Sequence, residues 1–359
     1  MKVNLDNLRR FKPDIEQSAK RWDAFWQGEL IDRPILLSNC PKDKSKPYHY
    51  HTYKERSFGD MDKMTREVLE NAENTYFGGD SIATYWPSFG ADEISTYCGG
   101  KLVWNEDSNM DTNWAEPFIT DLSTQLPITI NENSPNWKRM VEFYGKCADA
   151  FRGSVLPRPL DFHTNMDLLL AARGSEQLCF DLIETPELID RAMEDIRGVF
   201  KKCWETCTTA GRMDEFGYYF DAFSSTGSVA CVSCDFIAMI GPEMFRRWAM
   251  PTMEYEASFI DHVVLHWDGP GALKHYEDLM SIDKIHLVAY VPNPFETHLQ
   301  YLDLYKKVQS RGKAIAFTGS PEMIKQVHKE LDPRLTVYMT WPGSVGEIDA
   351  LDEWMIKNT

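Results

Sequence analysis

Short apolar runs alternate along this chain with longer stretches in which apolar positions recur every three or four residues. The runs at 34–40, 81–87, 154–162, 215–223, 262–268, 284–290, 313–319 and 334–340 have the length and composition of buried strands. Between most of them the spacing predicts helices. The stretch 185–211 opens with Thr185 and with Pro186 at the first helical position, and it closes at Gly211; 241–262 and 320–331 begin in the same way. Residues 297–312 form a further amphipathic stretch ending in glycine. Eight strands alternating with helices is the count of an α/β fold of the (β/α)8 TIM-barrel type. One domain spanning 1–359 is expected, with a helical cap within 1–30 and an insertion at 88–153, a segment too long for a single crossover. A doubly wound sheet is the competing architecture, and the lack of a Gly-rich phosphate loop after any run counts against it.

Charge narrows the partners. Lys and Arg number 38 against 55 Asp and Glu, a formal net charge of −17. No basic surplus exists to neutralise nucleic-acid phosphates or to hold an anionic membrane surface. The first residues lack the apolar segment of a targeting signal, and no run is long enough to span a bilayer, so a cytoplasmic protein is expected. The 8 cysteines are then expected as free thiols. Cys231 and Cys234 have CxxC spacing, but no second such pair completes a zinc site, and packing thiols are the expectation there.

In folds of this type, chemistry gathers where strands end at the C-terminal face. Reading those ends gives Asn39 and Cys40, Tyr85 and Trp86, Asp161 and His163, Asp221, His266 and Asp268, Tyr290 and Asn293, Thr318 and Ser320, and Thr340 and Trp341. His266 and Asp268 are two apart, so both side chains leave one side of their strand, and Gly269 and Gly271 let the chain turn directly after them. One histidine at a strand end is commonly a hydrogen-bonded structural residue; two Asp/His pairs at two different strand ends point to a pocket. Asp161, His163, Asp235, His266 and Asp268 are the expected catalytic residues, and Tyr85, Trp86, Asp221, Tyr290 and Trp341 the expected substrate-binding residues. Carboxylates crowded into one pocket raise one another's pKa, which suits general acid work near neutrality. His266 and Asp268 would equally offer a nitrogen and an oxygen to a divalent metal such as zinc.

Several stretches, "GELIDRPILL" (28–37), "YFGGDSIATYWPSFGADEIS" (76–95), "LLLAARGSEQLCFDLIETPELI" (168–189), "CDFIAMIGPEMFRRWAMP" (234–251) and "HWDGPGALKHYEDLM" (266–280), resemble the uroporphyrinogen decarboxylase superfamily, which includes zinc-dependent methyltransferases that serve corrinoid proteins. The resemblance implies a (β/α)8 barrel with its site at the C-terminal mouth. The chain departs from both branches. The arginine-rich stretch with which decarboxylases grip carboxylates is missing from 1–40, and where the look-alike methyltransferases have a zinc-binding His-x-Cys pair this chain reads His266-Trp267-Asp268. No cysteine follows Cys234 to act as a third ligand.

Three functions follow. The first is a methyltransferase moving a methyl group from a small methylated donor to a corrinoid or pterin partner, with Tyr85, Trp86 and Trp341 as an aromatic wall and Asp residues offsetting a cationic donor such as a quaternary amine. The second is a lyase or decarboxylase-like enzyme without corrinoid, using Asp161 or Asp235 with His163 or His266 as acid and base. The third is a barrel without catalysis that binds a ligand or partner; strongly polar strand ends argue against it. A homodimer is compatible with each.

Overall fold

The computed structural model describes residues 3–104 and 111–359. The strands that position the site are β1 Ile35–Pro41, β2 Thr75–Gly79, β3 Thr84–Tyr85, β4 Leu156–Pro157, β5 Val229–Ser233, β6 His262–Asp268, β7 Ile285–Val291, β8 Ala314–Thr318 and β9 Thr336–Thr340. Seven of them form one sheet in the order β2-β1-β9-β8-β7-β6-β5. Its neighbours are parallel except β2, which runs antiparallel along β1. β3 and β4 pair in parallel with each other alone.

The expected α/β class is therefore found, and strands alternating with helices are compatible with a barrel-like arrangement. Among the described residues, however, the paired strands close no eight-membered ring. The reason lies at β2, which occupies the edge of β1 that a closing strand would need. Beyond Gly79 only isolated bonds continue the ladder, such as the Asp80 N–H to the Leu36 carbonyl and the Ser38 N–H to the Ser81 hydroxyl oxygen, both 2.7 Å.

The apolar run at 215–223 does not enter the seven-stranded sheet. Tyr218–Tyr219 and Phe223–Ser224 pair antiparallel as a hairpin. Asp221 takes φ 50 at its turn, a left-handed conformation that Asp tolerates better than bulkier residues do. The strand that enters the sheet is β5, whose residues are all buried.

Other elements follow the pattern closely. The helix Pro186–Ala210 runs from Thr185 to Gly211 and buries Ile189, Ala192, Met193, Ile196, Val199, Phe200 and Cys203, spaced three and four apart. Burying each large aliphatic or aromatic side chain of that stripe stabilises the fold by roughly 1.5–3 kcal/mol. Near the N-terminus, the helix Ile15–Trp26 sets Trp26 in a stack on His262, ring centroids 4.3 Å apart, at the start of β6. The segment 88–153 contains the helix Glu93–Tyr97, the antiparallel pair Lys101–Trp104 and Asn113–Glu116, and the helices Leu122–Gln125 and Pro135–Phe151; its residues 105–110 lie outside the described residues. Among the described residues no helix is long and apolar enough to cross a membrane. Cys40, Cys98, Cys147, Cys179, Cys203, Cys207, Cys231 and Cys234 are all free thiols.

A buried ion network fastens β1 to its surroundings. Asp80 is fully buried, accepts the Leu36 N–H at 3.1 Å, and faces Arg33 at 2.5 Å and Arg21 at 3.3 Å. Arg33 reaches on to Asp352 at 2.6 Å, and Arg21 to Asp32 at 2.7 Å. Removing one partner of such a network strands the others without solvent. Asp80→Asn should lower the unfolding free energy by about 3–5 kcal/mol, read from urea denaturation, and a loss under about 1 kcal/mol would show the network to be dispensable.

Candidate active site

The turn after β6 answers why a buried strand ends in His266 and Asp268. Trp267, between them, points the other way and packs on Tyr276 and Tyr290, ring centroids 6.2 and 5.8 Å away. That anchor leaves His266 half-buried and Asp268 exposed at the strand end. Gly269 follows with φ 71, a conformation that glycine adopts freely.

Asp161 and His163 lie beyond β4, on the segment leading into the helix Asn165–Arg173. His163 Nε2 is 3.5 Å from Asp161 Oδ2, and both side chains are largely covered, 15% and 17% exposed. Thr164 next to them donates its hydroxyl to Glu256 at 2.5 Å. One turn into the helix, buried Asp167 accepts the backbone N–H groups of Asp235 and Phe236 at 2.9 and 2.8 Å. It thereby holds the start of the loop after β5 and sets Asp235 beside His163.

The electrostatics tie these residues into one cluster. Burial alone would push His163 down, but Asp161, Asp167, Asp235 and Asp92 outweigh it and hold the imidazole at about 9, so it is protonated at neutral pH. Burial raises Asp167, and Asp235 adds to that, while His163 and the two backbone N–H groups oppose it. Asp268 is raised by its partial burial and by Asp235, and lowered by His266 and His163. Asp161 and His163 are in contact, and the other three expected residues lie within electrostatic reach: His163 feels Asp235, and Asp268 feels Asp235, His266 and His163.

Cys231 and Cys234 do not join this chemistry. Both thiols are buried and pushed well above their usual pKa by desolvation. Cys234 Sγ sits 3.7 Å from Asp167 Oδ1 as a weak donor. Among the described residues, no group of three or more His, Cys, Asp or Glu side chains is arranged to hold a metal ion. His266 and Asp268 therefore fall short of the three protein ligands that a catalytic zinc ordinarily takes.

A cavity of about 370 Å³ lies at the C-terminal ends of β1, β3, β4 and β9. Four of the expected substrate-binding residues, Tyr85, Trp86, Asp221 and Trp341, line it. Tyr290 does not; it is 1% exposed and packs against Tyr301 and Trp267. No residue of β5, β6, β7 or β8 lines this cavity; on β7 the register also shifts between Val263 and Val264, Val263 pairing with Ile285 but Val264 with Leu287. The extra residue, His286, reverses which side of β7 each later side chain takes. None of Asp161, His163, Asp235, His266 and Asp268 lines this cavity; buried Cys231 lies within electrostatic reach of Asp161 on the cluster side and of Asp221 and Arg158 on the cavity side.

The structure also adds residues that the strand-end reading omits. Arg158 stands over the Trp86 and Phe220 rings at 4.7 and 4.4 Å and pairs with Asp221 at 3.2 Å. Arg56 lies over the Tyr53 ring at 4.5 Å and donates to the Trp86 carbonyl at 3.3 Å. Both guanidiniums border the cavity, which is less one-sidedly acidic than its strand ends. Asp167 had a signal of its own, a carboxylate inside the apolar stretch "MDLLLAA", where only a paired or hydrogen-bonded acid is expected.

No protein-family model matches the chain, and no curated protein matches it. Among solved structures, a methyltransferase from Methanosarcina mazei is similar over 95% of this chain and 98% of that chain, with a TM-score of 0.62 and 12% sequence identity. At that identity the likeness is one of fold, and it agrees with the α/β class expected from the sequence.

Proposed function

We propose that this protein is a methyltransferase-like enzyme on a (β/α)8-type scaffold, moving a methyl group from a small methylated donor to a corrinoid or pterin partner. The observation that carries the reading is the pairing of His163 with Asp161 at 3.5 Å, both largely covered, among Asp167, Asp235 and Asp92; the cavity lined by Tyr85, Trp86 and Trp341 is a separate feature, and His163 is not part of its lining. The structural likeness to a methyltransferase supports it.

The chemistry needs a proton at one place. When a methyl group leaves oxygen or nitrogen, the carbon–heteroatom bond breaks and its electron pair stays on the heteroatom. For a methyl ether, or for a methylamine with a free lone pair, a positioned acid that protonates that atom makes it a competent leaving group, whereas a quaternary amine leaves as a neutral amine without it. His163 would give that proton, and Asp161 and Asp235 would hold the imidazole in place and draw its replacement from solvent. Trp86, Tyr85 and Trp341 would provide the apolar wall for the donor. The partner would supply the nucleophile that takes the methyl carbon. A divalent ion at His266 and Asp268 would need ligands beyond the described donor set, so no step is assigned to it.

A second reading, a lyase or decarboxylase-like enzyme without corrinoid, is favoured by one observation: Arg56 and Arg158 border the cavity and suit a carboxylate. One experiment separates the two. Purified protein is incubated with methyl ethers, methylamines, quaternary amines and methylated polyols, together with either reduced free corrinoid or a tetrahydropterin. Methylated acceptor is expected from at least one donor. Carbon dioxide released from small carboxylates, with no methyl transfer from any donor, would replace the first reading by the second.

A further inference from the structure

Tyr85 borders the cavity, and its hydroxyl does not stand alone. It lies 3.2 Å from His51 Nδ1, and His51 Nε2 lies 3.0 Å from Glu67 Oε2. The three residues come from separate elements: the end of β3, the loop after β1, and the helix Met61–Asn74. His51 is 6% and Glu67 16% exposed in their side chains. Phe143 and Phe151 meet the Tyr85 ring edge to face at 6.0 and 6.1 Å and fix its direction. His51 meets it nearly perpendicularly, at 84°.

The tautomer follows from the partners. An ionised carboxylate only accepts, so Nε2 of His51 carries a proton toward Glu67, and in the neutral imidazole Nδ1 then turns its lone pair toward the Tyr85 O–H. Glu67 is held in its ionised form, because the bond from His51 and the nearby Lys63 and His49 outweigh its burial. The remaining charged and titratable neighbours are Glu55, Arg56 and Tyr48 around Tyr85, with Cys147 behind its ring.

We infer that Glu67, His51 and Tyr85 form a proton relay serving the cavity, and that the molecule bound there presents a hydroxyl or protonated amine to Tyr85. A bound X–H gives its proton to the Tyr85 oxygen as the Tyr85 proton passes to His51 Nδ1. The ligand loses one proton, His51 gains one and becomes an imidazolium facing the Glu67 carboxylate, and Tyr85 ends neutral as it began. Run backwards, the same path delivers a proton. Burial pushes the Tyr85 phenol far up, so it conducts the proton without becoming a free phenolate. The relay does not depend on methyl transfer and uses none of the residues of the His163 cluster.

p-Nitrophenol tests it directly, because its phenolate is coloured and it is not a methyl donor. With saturating protein, the relay should lower the midpoint of its ionisation so that its ionisation constant rises by about tenfold or more. Tyr85→Phe removes the conducting oxygen, and His51→Gln keeps a polar side chain that cannot take up the proton; each should return the midpoint to its value in buffer. Circular dichroism of both variants checks that they fold. An unshifted midpoint with the unaltered protein overturns the relay. So does an equal shift in Tyr85→Phe, which would trace the ionisation to the charges of Arg56 and Arg158 alone.

Discussion

Replacing His163 with alanine is expected to slow turnover of the methylated donor by about 10²–10⁴-fold, the usual worth of a positioned general acid. The pH profile should report the same group. In the unaltered enzyme, activity should fall as the pH rises through about 9, where the imidazolium gives up its proton. In the variant that alkaline limb should vanish with the residue. Stability should change in a matching window. His163 titrates near 6.5 in an unfolded chain and at about 9 in the fold. Its contribution is therefore complete below about 6.5 and is lost as the pH climbs through about 9. Below that range the variant also leaves Asp161, Asp167 and Asp235 without their shared counter-charge. Its thermal midpoint should lie well under that of the unaltered protein at neutral pH, and the gap should narrow above pH about 9. Turnover within threefold of the unaltered rate, or an intact alkaline limb, would remove His163 from the chemistry.

How much of this site was legible in the sequence depends on whether local periodicity survives folding. On β6 it does: Trp267 packs outward, and His266 and Asp268 take the other side, as a period of two requires. On the helix Pro186–Ala210 it also does, because capping residues and apolar spacing agree. It fails where one residue alters the backbone. The left-handed turn at Asp221 folds an apparent strand into a hairpin, and the extra residue at His286 sets Tyr290 opposite Trp267 instead of opposite Asp268. Neither event changes the hydrophobic pattern, so neither can be read from it. The cluster around His163 lay half in view. Its strand-end members are polar residues closing apolar runs, whereas Asp167 sits on a helix and Asp92 in the segment 88–153. His51 and Arg56 reach the cavity from a loop and a helix, Glu67 backs His51 from a second helix, and the meeting of His51 with Tyr85 is a property of the tertiary structure alone.

His266→Ala gives the sharpest decision about mechanism, because three roles for His266 predict three different records. A metal ligand would lose bound metal and turnover together, and added zinc would not restore them, since a ligand contributes several kcal/mol to ion binding. A purely structural histidine would lose thermal stability while each folded molecule kept its activity. An acid–base partner would leave metal content and fold intact and lower turnover by about 10²–10⁴-fold. The third record is expected. His266 is half-buried at the end of β6 two residues from Asp268, and the described residues provide no set of three donors around the pair. Asp268→Asn sharpens the result. Asp235 and partial burial raise Asp268 while His266 and His163 lower it, so the carboxylate lies between both histidines in the electrostatics of the cluster. If the three act as a unit, His266→Ala and Asp268→Asn together should slow turnover little more than the slower single variant, as residues in one catalytic group do. Fully additive losses would instead mean that His266 and Asp268 contribute independently. A His266→Ala protein with full activity on its true donor would exclude the end of β6 from both binding and catalysis.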